Sequence, residues 1–248
     1  MNDMSKKTNA IIMAAGMSRR LAPLSSQIPK GLLRVRSEIL IEREIEQLQA
    51  AGIWDITVVV GYMHEKFMYL EQKYHVDIVF NKDFARYNNP STLMCVLDKL
   101  SDTYICSSDN YFTTNVFETS NEKAFYSAVY SKGKTEEYCL SYDDSGLITD
   151  VTIGGSDSWY MLGHVYFTKE FSERFKKILI TEYSNPETRN HLWEDLYIRY
   201  ISDMHLYIKK YADDIIYEFD TLEELQQFDP CYNNTSFIEK IIKFKGEN

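Results

Sequence analysis

The sequence predicts an α/β fold: a Rossmann-like, mostly parallel sheet flanked by helices, with an antiparallel insertion in the second half. Three observations predict it. Short apolar runs alternate with helix-period segments through the first half of the chain. The run Ile56-Thr57-Val58-Val59-Val60 is β-branched throughout, as in a strand buried on both faces. After Ala124 the pattern changes to short strands separated by turns such as Asp143-Asp144-Ser145-Gly146.

Taken in order, residues 9–13 form a first strand that runs straight into a small-residue loop. Ile41, Ile45 and Leu48 recur at helical spacing, and Gly52 ends that helix. The strand 56–60, a helix over 65–73 and a strand over 76–80 follow, then an Asn-rich loop and a helix over 91–100. Residues 104–107 form a strand that delivers Ser108-Asp109-Asn110 at its carboxyl end, where ligands lie in parallel sheets. The second half reads as strands over 125–130, 138–142, 147–153 and 159–167, then helices over 169–180 and 191–201. Strands over 206–211 and 215–219 come next, then a helix from Thr221 and an amphipathic stretch over 237–244. The whole chain, 1–248, is expected to be one domain. Its nucleotide-binding half is 9–123, its acceptor-binding half 124–228, and 229–248 is either a packed closing helix or a junction to a further catalytic domain.

Composition narrows the function. Hydrophobic residues are 44% and charged residues 26%, so the chain is globular rather than disordered. Lys plus Arg number 27 against 37 Asp plus Glu, a net charge of -10, which argues against a nucleic-acid partner. An acidic chain that handles phosphates must use a few placed cations or a metal. Cys95, Cys106, Cys139 and Cys231 lack metal or redox spacing and are expected to be buried thiols. The five histidines are scattered and carry no metal motif. No segment approaches the ~20 apolar residues of a membrane span, and the N-terminal apolar run is too short for a signal peptide, so a cytoplasmic protein is expected. The oligomeric state is left open, a homo-oligomer being compatible with the sequence.

The most informative stretch is Ala14-Ala15-Gly16-Met17-Ser18-Arg19-Arg20-Leu21-Ala22-Pro23-Leu24, followed by Pro29-Lys30-Gly31-Leu32. It is neither a Walker A loop nor GxGxxG. Its small residues let backbone approach a phosphate or base, and free N–H groups form an anion nest. Arg20 can fork onto phosphate oxygens and Lys30 can act as a point charge. Ala-Ala-Gly alone is an ordinary strand–helix loop; the full spacing with Pro29-Lys30 is not.

That stretch resembles the LAAGxGxRLxPLTxxxPKxL signature of the nucleotidyltransferases, which join an NTP to a phosphorylated substrate and release pyrophosphate. It departs from the signature at Met13 and at Ser18, where the second Gly would stand and where a positive φ is less comfortable for Ser. Val60-Gly61-Tyr62, Tyr87-Asn88-Asn89 with Ser91, Asp109-Asn110-Tyr111 and Ile216-Tyr217-Glu218-Phe219-Asp220 resemble segments of bacterial CTP:phosphocholine cytidylyltransferases and their relatives that activate 2-aminoethylphosphonate. The resemblance spans 9–228.

It implies CMP transfer from CTP to a small zwitterionic phosphate or phosphonate: phosphocholine first, then 2-aminoethylphosphonate, then phosphoethanolamine. Such an acceptor is already ionised near neutral pH, since the second pKa of a phosphate ester is ~6, so no general base is needed. The demand is to hold two anions together and neutralise their charge, for which Mg²⁺ is the expected cofactor. Lys30 and Arg20 are the expected catalytic cations, and Asp109 and Asp220 the metal ligands. Asp220 has a plainer reading as the cap of the helix at Thr221. Ala14, Ala15, Gly16, Met17, Ser18, Arg20, Gly61, Tyr62, Asn88 and Ser91 are the expected nucleotide contacts. Glu218 alternates with Asp220 and points to the same face, toward metal or a substrate ammonium. Tyr138, Trp159, Tyr160 and Trp193, the last beside Glu194 and Asp195, are candidates for the acceptor's cationic end. Tyr138 falls where the phosphocholine enzymes carry a Trp, which weighs against a quaternary ammonium. A nucleotide-sugar pyrophosphorylase and a non-catalytic nucleotide-binding regulator are the rival readings. The YNN segment and the missing β-helix tail oppose the first. The joint presence of Arg20, Lys30, Asp109 and Asp220 opposes the second.

Overall fold

The computed structural model describes residues 7–243. Met1 to Lys6 and the tail from Phe244 to Asn248 lie outside the described residues.

The first strand, β1 (Asn9–Ala14), is central because its Ile11 and Ile12 must both be covered, one on each face of the sheet. A hairpin of β2 (Arg34–Val35) and β3 (Glu38–Ile39) leads into α1 (Leu40–Ala50). Then come β4 (Ile56–Val60), α2 (Tyr69–Tyr74), β5 (Asp77–Phe80), α3 (Pro90–Met94), β6 (Thr103–Ser107) and β7 (Asn110–Phe112). The second half contains β8 (Phe125–Tyr142), β9 (Ile148–Phe167), α4 (Lys169–Glu182), α5 (Pro186–Asn190) and α6 (Trp193–Arg199). It closes with β10 (Tyr207–Lys210), β11 (Ile216–Glu218), α7 (Leu222–Phe228) and α8 (Thr235–Lys243).

The main sheet has seven strands in the order β10-β8-β9-β6-β1-β4-β5. All pairs are parallel except those of β9, which runs against both β6 and β8. The chain leaves β1 toward β4 and β5, then returns to β6 on the other side of β1. The loops after β1 and β6 therefore diverge from one crevice, the place where open parallel sheets bind ligands.

Alternation across the strands builds two cores. Ile12, Val58 and Val60 face α1 and α2 through Ile41, Ile45 and Leu70. Ile11 and Val59 face the opposite layer, with Leu93, Phe171, Phe175 and Trp193. A third cluster lies outside the sheet, where Leu21, Leu24, Tyr111, Phe219, Phe228 and Tyr232 meet. It joins the loop after β1 to the small β7–β11 ribbon, and α8 packs on it through Phe237, Ile238 and Ile241.

Several expected elements differ. The four short strands of the second half are two long ones, β8 and β9, with register shifts between Ser131 and Tyr138. The expected helix over 91–100 is α3 plus a separate short turn, Leu97–Lys99, because Val96 leaves helical geometry at φ -129° and ψ 27°. The expected helix over 191–201 is the shorter α6, because His191 and Leu192 are extended and Tyr200 leaves helical geometry; α5, just before it, was not expected. Cys106 and Cys139 are buried thiols as expected, but Cys95 and Cys231 are exposed. Among the described residues no helix is long and apolar enough to cross a membrane.

Candidate active site

The crevice brings together residues from four distant segments. The loop after β1 supplies Arg20 and Lys30, the end of β6 supplies Asp109, and β11 with the residues after it supplies Glu218 and Asp220. Antiparallel pairing places Glu218 opposite Asn110, and so brings it to Asp109, the residue just before β7.

Lys30 is the centre of this cluster. Its side chain is only 6% exposed, and its Nζ lies 2.6 Å from Asp109 Oδ2 and 2.8 Å from Asp220 Oδ1. Burial pulls its pKa down, but Asp109, Glu218 and Asp220 outweigh burial and hold it above the ordinary lysine value. Arg20, largely exposed, reaches the other oxygen of Asp220 at 2.8 Å. Burial and the neighbouring Asp109 push the Glu218 carboxyl well above the usual carboxylate range, against the pull of Lys30. Gly31 makes this approach workable, since a Cβ there would sit 2.8 Å from the Ser108 side chain.

Oxygens of Asp109, Glu218 and Asp220 all lie within 4.8 Å of one another. Asp109 Oδ1 is buried and has no hydrogen-bond partner among the described residues. An all-carboxylate donor set with an orphaned buried oxygen is chemistry that fits a hard divalent cation such as Mg²⁺. The helix-cap reading of Asp220 fails: Thr221 caps α7 through Glu224 N at 3.3 Å, and Glu224 reaches back to Thr221 N at 2.9 Å.

Beside the cluster is a cavity of about 570 Å³ lined by Ala15 to Arg20 on one side and Phe84 to Asn89 on the other. Gly16 leaves it open, for a Cβ there would meet nothing within 4 Å. Ser18 does adopt the left-handed conformation, with φ 46° and ψ 47°, that its non-glycine identity makes uncomfortable. Gly61 serves close packing: a Cβ would stand 2.7 Å from Ala15 O and 2.5 Å from Phe84 Cβ. Tyr62 N donates to Ala15 O at 3.1 Å, so Gly61 and Tyr62 brace the loop from behind. Ala14 is buried. Asn88 lines the cavity, whereas Ser91 is buried and hydrogen-bonded to Asn88 O and Asn81.

The acceptor candidates divide. Tyr138 is half-buried, and its hydroxyl donates to Asp195 Oδ1 at 2.8 Å. Tyr160 is half-buried, and both Glu137 and Glu218 raise its pKa after burial does. Trp159 is half-buried against Tyr130. Trp193 does not join them. It is 1% exposed, stacked on Tyr126 at 5.9 Å and edge-on to Phe167 and Phe175, so it is a packing residue.

Sequence reasoning missed Asn81, Arg86 and Asn89, which also line the cavity, and Glu137, which senses Asp220 and Arg20. Asn89 stood inside the YNN segment and was legible there; Glu137 depends on ribbon geometry with no local signal.

Comparison with known proteins places this geometry. The MobA-like NTP transferase domain family matches residues 10–116. Choline-phosphate cytidylyltransferase of Streptococcus pneumoniae is 31% identical over 91% of this chain and 98% of its own length. This chain belongs to the nucleotidyltransferase family. The 2-aminoethylphosphonate cytidylyltransferase of Lancefieldella rimae is 34% identical over 92% of this nucleotidyltransferase and 94% of its own length. The solved structure of the S. pneumoniae CTP:phosphocholine cytidylyltransferase LicC superimposes with a TM-score of 0.87 at 32% identity, covering 89% of this nucleotidyltransferase and 97% of LicC. Within the family, the nucleotidyltransferase sits with the cytidylyltransferases.

Proposed function

We propose that this nucleotidyltransferase transfers CMP from CTP to a small zwitterionic phosphate or phosphonate and releases pyrophosphate. The observation that carries the reading is the buried Lys30 ammonium, 2.6 Å from Asp109 and 2.8 Å from Asp220, next to the cavity walled by the Ala15–Arg20 loop. The cytidylyl donor is supported by the relatives' activities on choline phosphate and 2-aminoethylphosphonate.

The residues divide the work by charge. Backbone N–H groups of the loop face the triphosphate, and the exposed Arg20 guanidinium exchanges Asp220 for phosphate oxygens. Lys30, fixed by two carboxylates, presents an invariant positive charge near the α-phosphate, where charge builds in the transition state. Asp109, Glu218 and Asp220 would hold Mg²⁺, which when bound neutralises the α-phosphate and the leaving pyrophosphate. The acceptor oxygen is ionised on its own, so the protein's task is alignment.

The acceptor's ammonium end faces an acidic, aromatic surface built by Glu137, Tyr138, Tyr160 and Asp195. Because the Tyr138 hydroxyl is turned to Asp195, this pole offers carboxylate oxygens beside the ring rather than a bare aromatic face. That chemistry favours a primary ammonium, and so 2-aminoethylphosphonate or phosphoethanolamine, over a quaternary one. The test is pyrophosphate release with the four NTPs crossed against phosphocholine, phosphoethanolamine, 2-aminoethylphosphonate and hexose 1-phosphates, with and without Mg²⁺. The expected result is Mg²⁺-dependent release with CTP and an amino phosphate or phosphonate. Release only with a hexose 1-phosphate, or with none of the acceptors, counts against the reading.

A further inference from the structure

Two consecutive carboxylates on α6 tie the cavity wall to the acceptor-side ribbon. Asn89 lines the nucleotide cavity, yet its amide reaches across to α6. Its Oδ1 accepts from Trp193 N at 2.7 Å and its Nδ2 donates to Glu194 Oε2 at 3.3 Å. The other oxygen of Glu194 accepts from the Tyr126 hydroxyl on β8 at 3.1 Å. Asp195 accepts from Leu192 N at 2.8 Å through one oxygen and from the Tyr138 hydroxyl at 2.8 Å through the other. The wall is fixed to the same layer a second time, by Asn88 N donating to Arg189 O at 2.8 Å.

We propose that Glu194 is a positioning residue that couples the two substrate sites, holding Asn89 of the nucleotide wall with one oxygen and Tyr126 of the acceptor ribbon with the other. The inference rests on the reading of the cleft as a CTP site. Displacement of either partner alters what Glu194 can offer the other, so each substrate binds more tightly when the opposite site is correctly shaped.

Protonation acts on the same joint. The groups that face Glu194 are Asn89 from the loop, Tyr126 from β8 and Asp195 on its own helix, while Tyr138 faces Asp195 and Glu218 faces Tyr126. Burial pushes the Glu194 carboxyl up to about 7; Asp195 adds to the rise, and the bonds from Asn89 and Tyr126 oppose it. A protonated carboxyl is no longer a charged acceptor at either oxygen: its C=O still accepts from Asn89 while its O–H must donate to the Tyr126 hydroxyl, so both ties weaken and one reverses as pH falls through that range. Glu194→Gln imitates the protonated state at every pH.

The test measures KM for CTP at pH 6 and pH 8 in the full chain, with phosphocholine or 2-aminoethylphosphonate, whichever the wild type uses. Glu194→Gln is expected to raise KM for CTP roughly tenfold at pH 8, the scale of a hydrogen bond to a charged group, and to converge on the wild type at pH 6. Tyr126→Phe keeps the packing against Trp193 and is expected to raise KM for CTP as well, although Tyr126 does not line the nucleotide cavity. A Glu194→Gln effect that is the same at both pH values, or a Tyr126→Phe protein with unchanged KM for CTP, overturns the coupling. Wild-type turnover in the same assay bears on the proposed function, so loss of coupling with turnover intact refutes this inference alone.

Discussion

Replacing Lys30 with Met removes a charge while keeping most of the side chain's volume. The ammonium it removes is buried and lies 2.6 Å and 2.8 Å from two carboxylate oxygens. Each pair is worth about 6 kcal/mol by Coulomb's law at these distances and an effective dielectric of ~20, before desolvation is subtracted. Removing one partner of a buried pair costs roughly 3–5 kcal/mol, because the other charge is left uncompensated. The variant should therefore melt on the order of 10 °C lower, since 1 kcal/mol shifts Tm by about 2–4 °C in a chain of this size. The loss has a defined pH dependence. The Glu218 carboxyl is already raised by burial and by Asp109, and without Lys30 it loses the cation that opposes the rise. The folded state then binds more protons than the unfolded state, so the variant recovers stability as pH falls toward the carboxylate range. Thermal melts of both proteins at pH 8 and pH 5 should show a gap that narrows in acid. Pyrophosphate release should fall by about 10²–10³ in kcat, the usual loss for one charge-stabilising donor. An unchanged Tm at pH 8 with near-normal turnover would refute the central role given to Lys30.

Asp109→Asn and Asp220→Asn should each raise the half-saturating Mg²⁺ concentration roughly tenfold or more, since even outer-shell losses cost about 10–100-fold; wild-type Mg²⁺ titration by Asp220→Asn would leave Asp220 as a partner of Lys30 and Arg20 only. Ser18→Gly should stabilise the fold by roughly 0.5–1 kcal/mol, the ~1–2 kcal/mol left-handed cost less the entropy of a new glycine, read as a higher Tm; a lower Tm contradicts the strain argument. His164 is buried among Tyr104, Phe112, Phe117 and Phe125, and burial, helped by Lys209, lowers its pKa to about 3. The unfolded chain takes up that proton near pH 6.5 while the folded chain does not, so stability falls as pH drops from ~6.5 toward 3. His164→Phe should lose part of that acid sensitivity in urea unfolding at pH 8 and pH 5, and identical acid sensitivity in the two proteins would contradict it.

The nucleotide half was legible because its signals are local. The run over 56–60 is β-branched throughout and carries no charge, so it had to be a doubly covered strand, and Asp109 followed a strand end by sequence alone. The loop from Ala14 to Leu32 was legible through spacing rather than through any one residue. The acceptor half was less legible because its order depends on long-range pairing. Residues 131–137 carry Lys and Glu at polar, exposed positions, which reads as a break between strands, yet pairing with β9 carries the ladder through them. The start of α6 at Trp193 rather than at His191 rests on Asp195 reaching Leu192 N, a side-chain choice that apolar periodicity cannot show. Trp193 was misplaced for a related reason. Its neighbours Glu194 and Asp195 are polar and face the cleft region, and only the helix rotation turns Trp193 into the core. Glu218 was readable by alternation, but its proximity to Lys30 required the β7–β11 pairing.

A cleft of Lys30, Asp109, Glu218 and Asp220 that joins CMP to the acceptor is told from one that merely binds or hydrolyses nucleotide by its products. Phosphorus NMR of CTP, Mg²⁺ and 2-aminoethylphosphonate or phosphocholine with the purified chain reads this directly. The expected spectrum shows equal amounts of pyrophosphate and a CMP-linked product, no CTP consumption without acceptor, and none with Lys30→Met on the same time scale. Free CMP in place of the linked product, or CTP consumption that does not depend on the acceptor, would contradict it.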